Sequence, residues 1–168
     1  MPNKKSMKIG IYDVDSKIPN LALMKISQWY KSQGNKVELY NPLWLDTYDK
    51  IFASKIFNFS DGSNLLPGRM TIGGTGWDIH KTLPQKIEDC IPDYNIYKYK
   101  HSIGFTMRGC RFRCKFCVVP EKEGRPKSNN NIDEIWTNRD SDFVVLLDND
   151  FFGNPEWKER IKEIKDYN

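Results

Sequence analysis

The 168 residues predict an α/β fold, and three observations carry that prediction. Short apolar runs alternate with one long amphipathic stretch and several helical turns, the order expected of strands and helices packed in layers. Gly34, Pro19 and Pro92 punctuate the joins between these runs. The hydrophobic content is 39%, with five Trp, eight Tyr and nine Phe, which suffices for a real core.

Taken in order, Lys8 to Tyr12 (KIGIY) reads as an apolar strand, followed by a polar turn containing Pro19. A helix is predicted from about Asn20 to Gln33, with Leu21, Met24, Ile26 and Trp29 as its buried stripe and Gly34 just past its end. Lys36 to Tyr40 (KVELY) is a second strand. Strand, helix and strand with short joins make a βαβ unit, which is parallel and right-handed in nearly all cases. Ile51 to Phe59 and Met70 to Gly73 are two further strands, so residues 1–95 are expected to form a domain built on a small open parallel sheet. Pro84 to Tyr99 is a connector with a helical turn or two. In the second domain, 96–168, Ser102 to Thr106 is a strand, Ile132 to Thr137 a short helix and Phe143 to Leu147 (FVVLL) an apolar strand. Asn154 and Pro155 then suit the N-cap and first position of a helix that places Trp157, Ile161 and Ile164 on one face.

Charge and cysteine usage narrow the function classes. The net charge of +4 is too small to argue for nucleic acid by itself, but its distribution is uneven. From Tyr94 to Pro120 there is no Asp or Glu, while Lys98, Lys100, Arg108, Arg111, Arg113 and Lys115 all fall there. The start, Met1 to Lys8, is polar and basic, and no run of about 18 apolar residues occurs, so neither a signal peptide nor a membrane span is expected. A cytoplasmic location follows. In that reducing compartment, clustered cysteines are metal ligands or redox groups more often than disulfides.

Three of the four cysteines lie in FTMRGCRFRCKFCVVP, residues 105–120, with the spacing C-x₃-C-x₂-C at Cys110, Cys114 and Cys117. An iron-sulfur cube normally takes four cysteines, so three would leave one iron with an open coordination position. A zinc site completed by Cys90 or His101 is the other metal reading, and it would make the protein a small binding module, with RNA as the candidate partner, without catalysis. Cys90 alone reads as a buried thiol, and His80 and His101 as surface or packing residues. Phe105, Phe112 and Phe116 interleave with the basic residues as base-stacking platforms can. Gly73-Gly74-Thr75-Gly76 after a strand is either a tight turn or a phosphate cradle that lacks the Lys-Ser/Thr ending of a P-loop.

The cysteine triplet, with aromatic Phe116 before its last member, resembles the cluster loop of the radical S-adenosylmethionine superfamily. The resemblance implies that Cys110, Cys114 and Cys117 ligate a 4Fe-4S cluster. It implies too that S-adenosylmethionine chelates the open iron and that the reduced cluster cleaves it to a 5'-deoxyadenosyl radical. Phe116 would lie against the adenine. Asp148 and Asn149 would stand in for the frequent Gly-Gly-Glu that holds the amino group, and an external electron donor would supply the electron. Arg108, Arg111 and Arg113 would offset the negative charge of thiolates and carboxylate. The first domain resembles the cobalamin-binding-like Rossmann domain that many such enzymes carry, but the Asp-x-His-x-x-Gly signature is absent, since Asp78-Ile79-His80 begins like it but is not completed by the glycine. Cobalamin binding is therefore not expected. The second domain offers the first two strand-helix units of a (β/α) radical S-adenosylmethionine barrel that in the family uses about six. The chain is accordingly expected to be the N-terminal piece of a longer enzyme, or half of a split one partnered by the rest. No residue in it names the substrate.

Overall fold

In the computed structural model, which describes residues 5–138 and 141–167, the chain divides into two compact units, Met1–Tyr99 and Lys100–Asn168. The first four residues of the basic start lie outside the described residues, as do Arg139, Asp140 and Asn168.

The first unit is built on strands β1 (Lys8–Asp13), β2 (Lys36–Leu39), β3 (Lys50–Ser54) and β4 (Met70–Gly73), with helix α1 (Leu21–Ser32) joining the first two. They form one sheet in the order β2-β1-β3-β4, and every pairing is parallel. The fold of this unit is thus α/β with an open parallel sheet. Helix α1 starts where the Asn20 side chain accepts the Leu23 N–H at 3.2 Å, and it stops ahead of Gly34, whose φ of 77° suits a residue without Cβ. Its buried residues are Leu23, Met24, Ile26 and Ser27, of which Leu23 and Ile26 pack with Ile9, Ile11 and Ile87, while the expected members Leu21 and Trp29 are only half-buried. The shift has a polar cause. The Ser27 hydroxyl donates to Asp93 at 2.6 Å, and Lys31 reaches the same buried carboxylate at 2.7 Å, a pairing that apolar periodicity cannot reveal.

The other face of the sheet holds Ile51, Ala53, Met70 and Ile72 under Tyr48 and Leu65, which arrive on loops rather than on a helix. Gly10 lies under Tyr48, where a Cβ would come within 3.2 Å of the ring.

Strand β3 ends at Ser54, well short of the expected Phe59. Beyond it the Asp15 carboxylate accepts the N–H groups of Ile56 and Phe57 at 2.7 and 2.9 Å, and these bonds turn the chain away from the sheet. After β4, Gly74 has φ 95° and lies so close to Lys55 that a Cβ would be 2.2 Å from its carbonyl oxygen. The N–H of Gly76 donates to that carbonyl, and those of Trp77 and Asp78 donate to Gly74. The glycine run is a tight turn, closed by the Gly76 N–H on the Lys55 carbonyl. Helix α2 (Gln85–Glu88) and a 3₁₀ turn at Tyr94–Ile96 complete the connector.

In the second unit, β5 (Ser102–Gly104) pairs in parallel with β8 (Val144–Leu146), and β6 (Met107–Arg108) pairs antiparallel with β7 (Lys127–Ser128). Helices α3 (Val119–Lys122), α4 (Ile132–Ile135) and α5 (Trp157–Asp166) fill the intervals. Ile103, Met107, Ile132 and Ile135 are its buried apolar residues. The two strands of this pair lie parallel, and a helix occurs later in the chain after each, with β6 between β5 and α3 and a 3₁₀ turn at Phe151–Gly153 between β8 and α5. The β6–β7 pair was not expected, because two residues per strand leave no periodicity to read. Strand β8, apolar at every position, is only half-buried, and Phe143 beside it stacks on His101 with ring centres 3.9 Å apart. Helix α4 is closed by a full capping box between Asn131 and Glu134. Helix α5 begins at Trp157, later than predicted from Asn154 and Pro155. Asn154 is instead 1% exposed, donates to the Thr106 carbonyl at 3.0 Å, and accepts from Ser128 and from the Glu156 N–H, both at 2.9 Å.

Asp15 generates a pH prediction. Burial acts to raise its pKa, but the amides of Ile56 and Phe57, with Ser60 and Lys55, outweigh burial and hold it below the ordinary aspartate value. A carboxyl whose folded pKa is depressed contributes stability above its unfolded pKa of about 3.9 and loses it as pH falls through the folded value. Asp15→Asn is therefore expected to lower stability by about 1–2 kcal/mol at pH 7. In urea unfolding from pH 7 to 2, the gap to wild type should narrow below about pH 4. A constant gap across that range would refute the assignment.

Candidate metal centre

The antiparallel pair of β6 and β7, with Met107 opposite Ser128 and Arg108 opposite Lys127, ties together the two ends of the segment that carries the cysteines. Gly109 leaves β6 at φ 85°, and a Cβ there would stand 2.4 Å from the Arg125 carbonyl oxygen, so the crossing of the two chains requires glycine. The Gly109 N–H donates to Glu123 at 2.9 Å, and the Cys110 N–H donates to the Gly124 carbonyl at 3.3 Å. A buried carboxylate, Asp150, then accepts both the backbone N–H and the Nε of Arg111 at 3.2 Å, with the Cys110 sulfur 4.0 Å away. Cys110 is held at the entry of the loop by backbone and side chain alike.

The exit half is differently placed. Cys114 and Cys117 flank a tight turn closed by the Cys117 N–H on the Cys114 carbonyl at 3.0 Å. Cys114 is exposed, Cys110 and Cys117 are partly covered, and all three thiols are free. Phe116 is 91% exposed, and Phe112 lies with its ring beneath the Arg111 guanidinium, 5.0 Å away.

Asp148, expected to meet an amino group, is engaged inside the protein. One oxygen accepts the N–H groups of Thr106 and Met107 at 2.8 and 3.1 Å, and the other accepts the Thr106 hydroxyl. Asn149, between the two carboxylates, is exposed. Near the cysteines the sequence shows no acid, yet folding brings two. Arg108 pairs with Glu123 at 2.8 Å and Arg111 with Asp150, so of the three arginines expected to offset cluster charge, only Arg113 is without an ion-pair partner among the described residues. Burial holds the Lys122 ammonium below the usual lysine range, with Glu123 opposing the effect and Arg108 adding to it. The anchoring role of Asp150 had one legible signal, since Asp148 and Asp150 are two apart after a strand and so share a face. Glu123 had none.

Elsewhere, His101 bonds through Nδ1 to the Ser141 hydroxyl at 2.8 Å, a packing role. His80 is exposed. Cys90, expected as a buried thiol, is only partly covered; its thiol meets the Lys86 carbonyl at the surface of the first unit, and what burial it has raises its pKa. Among the described residues, no group of three or more His, Cys, Asp or Glu side chains is gathered as ligands of one ion. Cys110, Cys114 and Cys117 therefore share a loop without sharing a centre. Their donor chemistry nevertheless fits an iron-sulfur cube: three free thiols within eight residues and no carboxylate inside the loop.

The anchor is testable by thiol labelling. Asp150→Ala removes the acceptor of the Arg111 N–H, so Cys110 should react several-fold faster with a bulky disulfide reagent, while Cys114, already exposed, keeps its rate. Asn149→Ala should change neither. An unaltered Cys110 rate in Asp150→Ala would show that the Gly124 contact alone fixes the entry. Compared with known proteins, the chain matches no family model, no curated protein and no solved structure.

Proposed function

We propose that the second unit is the cluster-binding part of a radical S-adenosylmethionine enzyme, with Cys110, Cys114 and Cys117 as ligands of a 4Fe-4S cluster. The observation that carries this reading is the C-x₃-C-x₂-C triplet with Phe116 before its last member, set on a loop that leaves a strand. When bound and reduced, such a cluster supplies the electron that cleaves the sulfonium of S-adenosylmethionine to a 5'-deoxyadenosyl radical. Three thiolates leave one iron open, and that position is where S-adenosylmethionine would bind.

The roles of the chain's own residues follow. Asp150 and the Gly124 carbonyl hold Cys110 as the fixed ligand. Cys114 and Cys117, on their tight turn, would supply the other two thiolates, and Phe116, exposed, would be available to lie against an adenine. Asp148 keeps the strand end in place for this, and Asn149 is the side chain left to meet an amino group. Solvent exclusion requires further strands along β5 and β8, supplied by additional chain or by a partner, and an external donor supplies the electron. No helix among the described residues is long and apolar enough to cross a membrane, and the free thiols suit a reducing, cytoplasmic setting.

Two measurements test the reading. After anaerobic reconstitution, Cys110→Ala, Cys114→Ala and Cys117→Ala should each retain less than about a tenth of wild-type iron and sulfide, with Cys90→Ala unchanged. A colourless protein holding stoichiometric zinc would favour the binding module instead. The second is 5'-deoxyadenosine released per cluster under dithionite. The chain alone should stay below one turnover, and supplying the remaining strands should raise it. Multiple turnovers from these 168 residues alone would refute the need for further strands.

A further inference from the structure

Beside Cys110 the basic segment encloses a cleft of about 340 Å³, whose wall includes Arg113, Arg125, Pro120 and Pro126. Arg111 also lines it, but its Nε is committed to Asp150 and its Nη1 to the Phe152 carbonyl at 3.4 Å. The neighbouring acid, Glu123, is committed too, to Arg108 at 2.8 Å and to the Gly109 N–H at 2.9 Å. What remains is a pair of cations. Among the described residues, neither Arg113 nor Arg125 has a hydrogen-bond or ion-pair partner. Their backbones are nonetheless held: Arg125 has its carbonyl against Gly109 and is followed by Pro126, and Arg113 lies between two cysteines of the anchored loop.

Two guanidiniums that line one cleft thus keep their donors unmet among the described residues. The ligand chemistry that satisfies both is an oxyanion with several acceptors, which planar guanidinium forks bind in pairs of hydrogen bonds. Small-molecule sites run from roughly 300 to 1,000 Å³, so this cleft has room for a phosphate with a modest organic group. A nucleic-acid strand would call for a groove of cations along its backbone rather than two in a bowl. We propose that the cleft receives a phosphate-bearing small molecule, with Arg113 and Arg125 taking the phosphate. That this molecule is a substrate rests on the cluster reading, because the cleft lies beside Cys110; the anion contact itself does not.

The test titrates inorganic pyrophosphate into the full chain at low ionic strength by calorimetry, before and after iron-sulfide reconstitution. Wild type should bind in both states. Arg113→Gln and Arg125→Gln should each weaken binding several-fold and the double variant at least twentyfold, with thermal unfolding unchanged. Lys115→Gln, which removes the same charge from the loop but does not line the cleft, should stay within twofold of wild type. Equal weakening by Lys115→Gln would overturn the proposal, as would an unaffected double variant or no binding at all. Tighter binding of a single-stranded oligonucleotide than of pyrophosphate would overturn it in favour of a strand-tracking surface. Pyrophosphate binding that appears only after reconstitution would overturn it by making the cluster, not the arginines, the determinant. If wild type takes up no iron yet binds pyrophosphate through both arginines, the cleft stands and the cluster reading falls.

Discussion

The carboxylate of Asp148 meets the Thr106 and Met107 amides where the chain leaves β5, and the rest of the second unit is arranged around that contact. Strand β8 runs alongside β5, so its end delivers Asp148 to the one place where β5 has stopped making ladder hydrogen bonds. Unpaired amides there would carry a desolvation cost of about 1–3 kcal/mol each, and a charged acceptor removes it. The same contact directs the chain into β6, and β6 with β7 ties off the cysteine segment. Two residues on, Asp150 repeats the device on Arg111, and Gly153 lies so close that a Cβ would meet its oxygen at 2.2 Å. Carboxylates two apart after one strand thus fix the two successive corners that lead into the loop.

The first unit uses the same chemistry at the end of β3. Asp15, delivered by the loop after β1, takes the amides of Ile56 and Phe57. This is the edge at which open parallel sheets characteristically receive ligands, near the point where the strand order reverses between β1 and β3. Here the amides that an anionic group would meet are already occupied by the protein's own carboxylate. Asn20 fills in beside it, donating to the buried Ser54 hydroxyl at 2.9 Å while capping α1.

What was legible in the sequence was whatever depends on local pattern. Strand β4 and helix α1 were readable because apolar spacing, an Asn cap and a Gly stop all agree over a short span. The strand ends were not, because Asp15 and Asp148 act on amides about forty residues away, and no local signal marks an acceptor for a distant donor. The inward turn of Ser27 was hidden for the same reason, since its partner is Asp93. Of the candidate site, the cysteine spacing was plain and the neutralising partners of Arg108 and Arg111 were not. That difference reverses the electrostatic picture. A stretch that reads as uniformly basic becomes two paired arginines and, with Arg125, two without an ion-pair partner among the described residues.

The short β6–β7 pair has a thermodynamic consequence for any group the loop comes to hold. Closing a loop of chain loses entropy that rises as about 1.5 RT times the logarithm of its length. Folding has already closed the segment that carries the cysteines, through Met107 opposite Ser128 and Arg108 opposite Lys127. A group that joins Cys110 to Cys117 therefore orders a short stretch inside a ring whose ends are held, and less chain freedom is left for it to remove. Two rungs of backbone hydrogen bonds that touch none of the thiols thus lower the ordering cost of whatever the loop comes to hold.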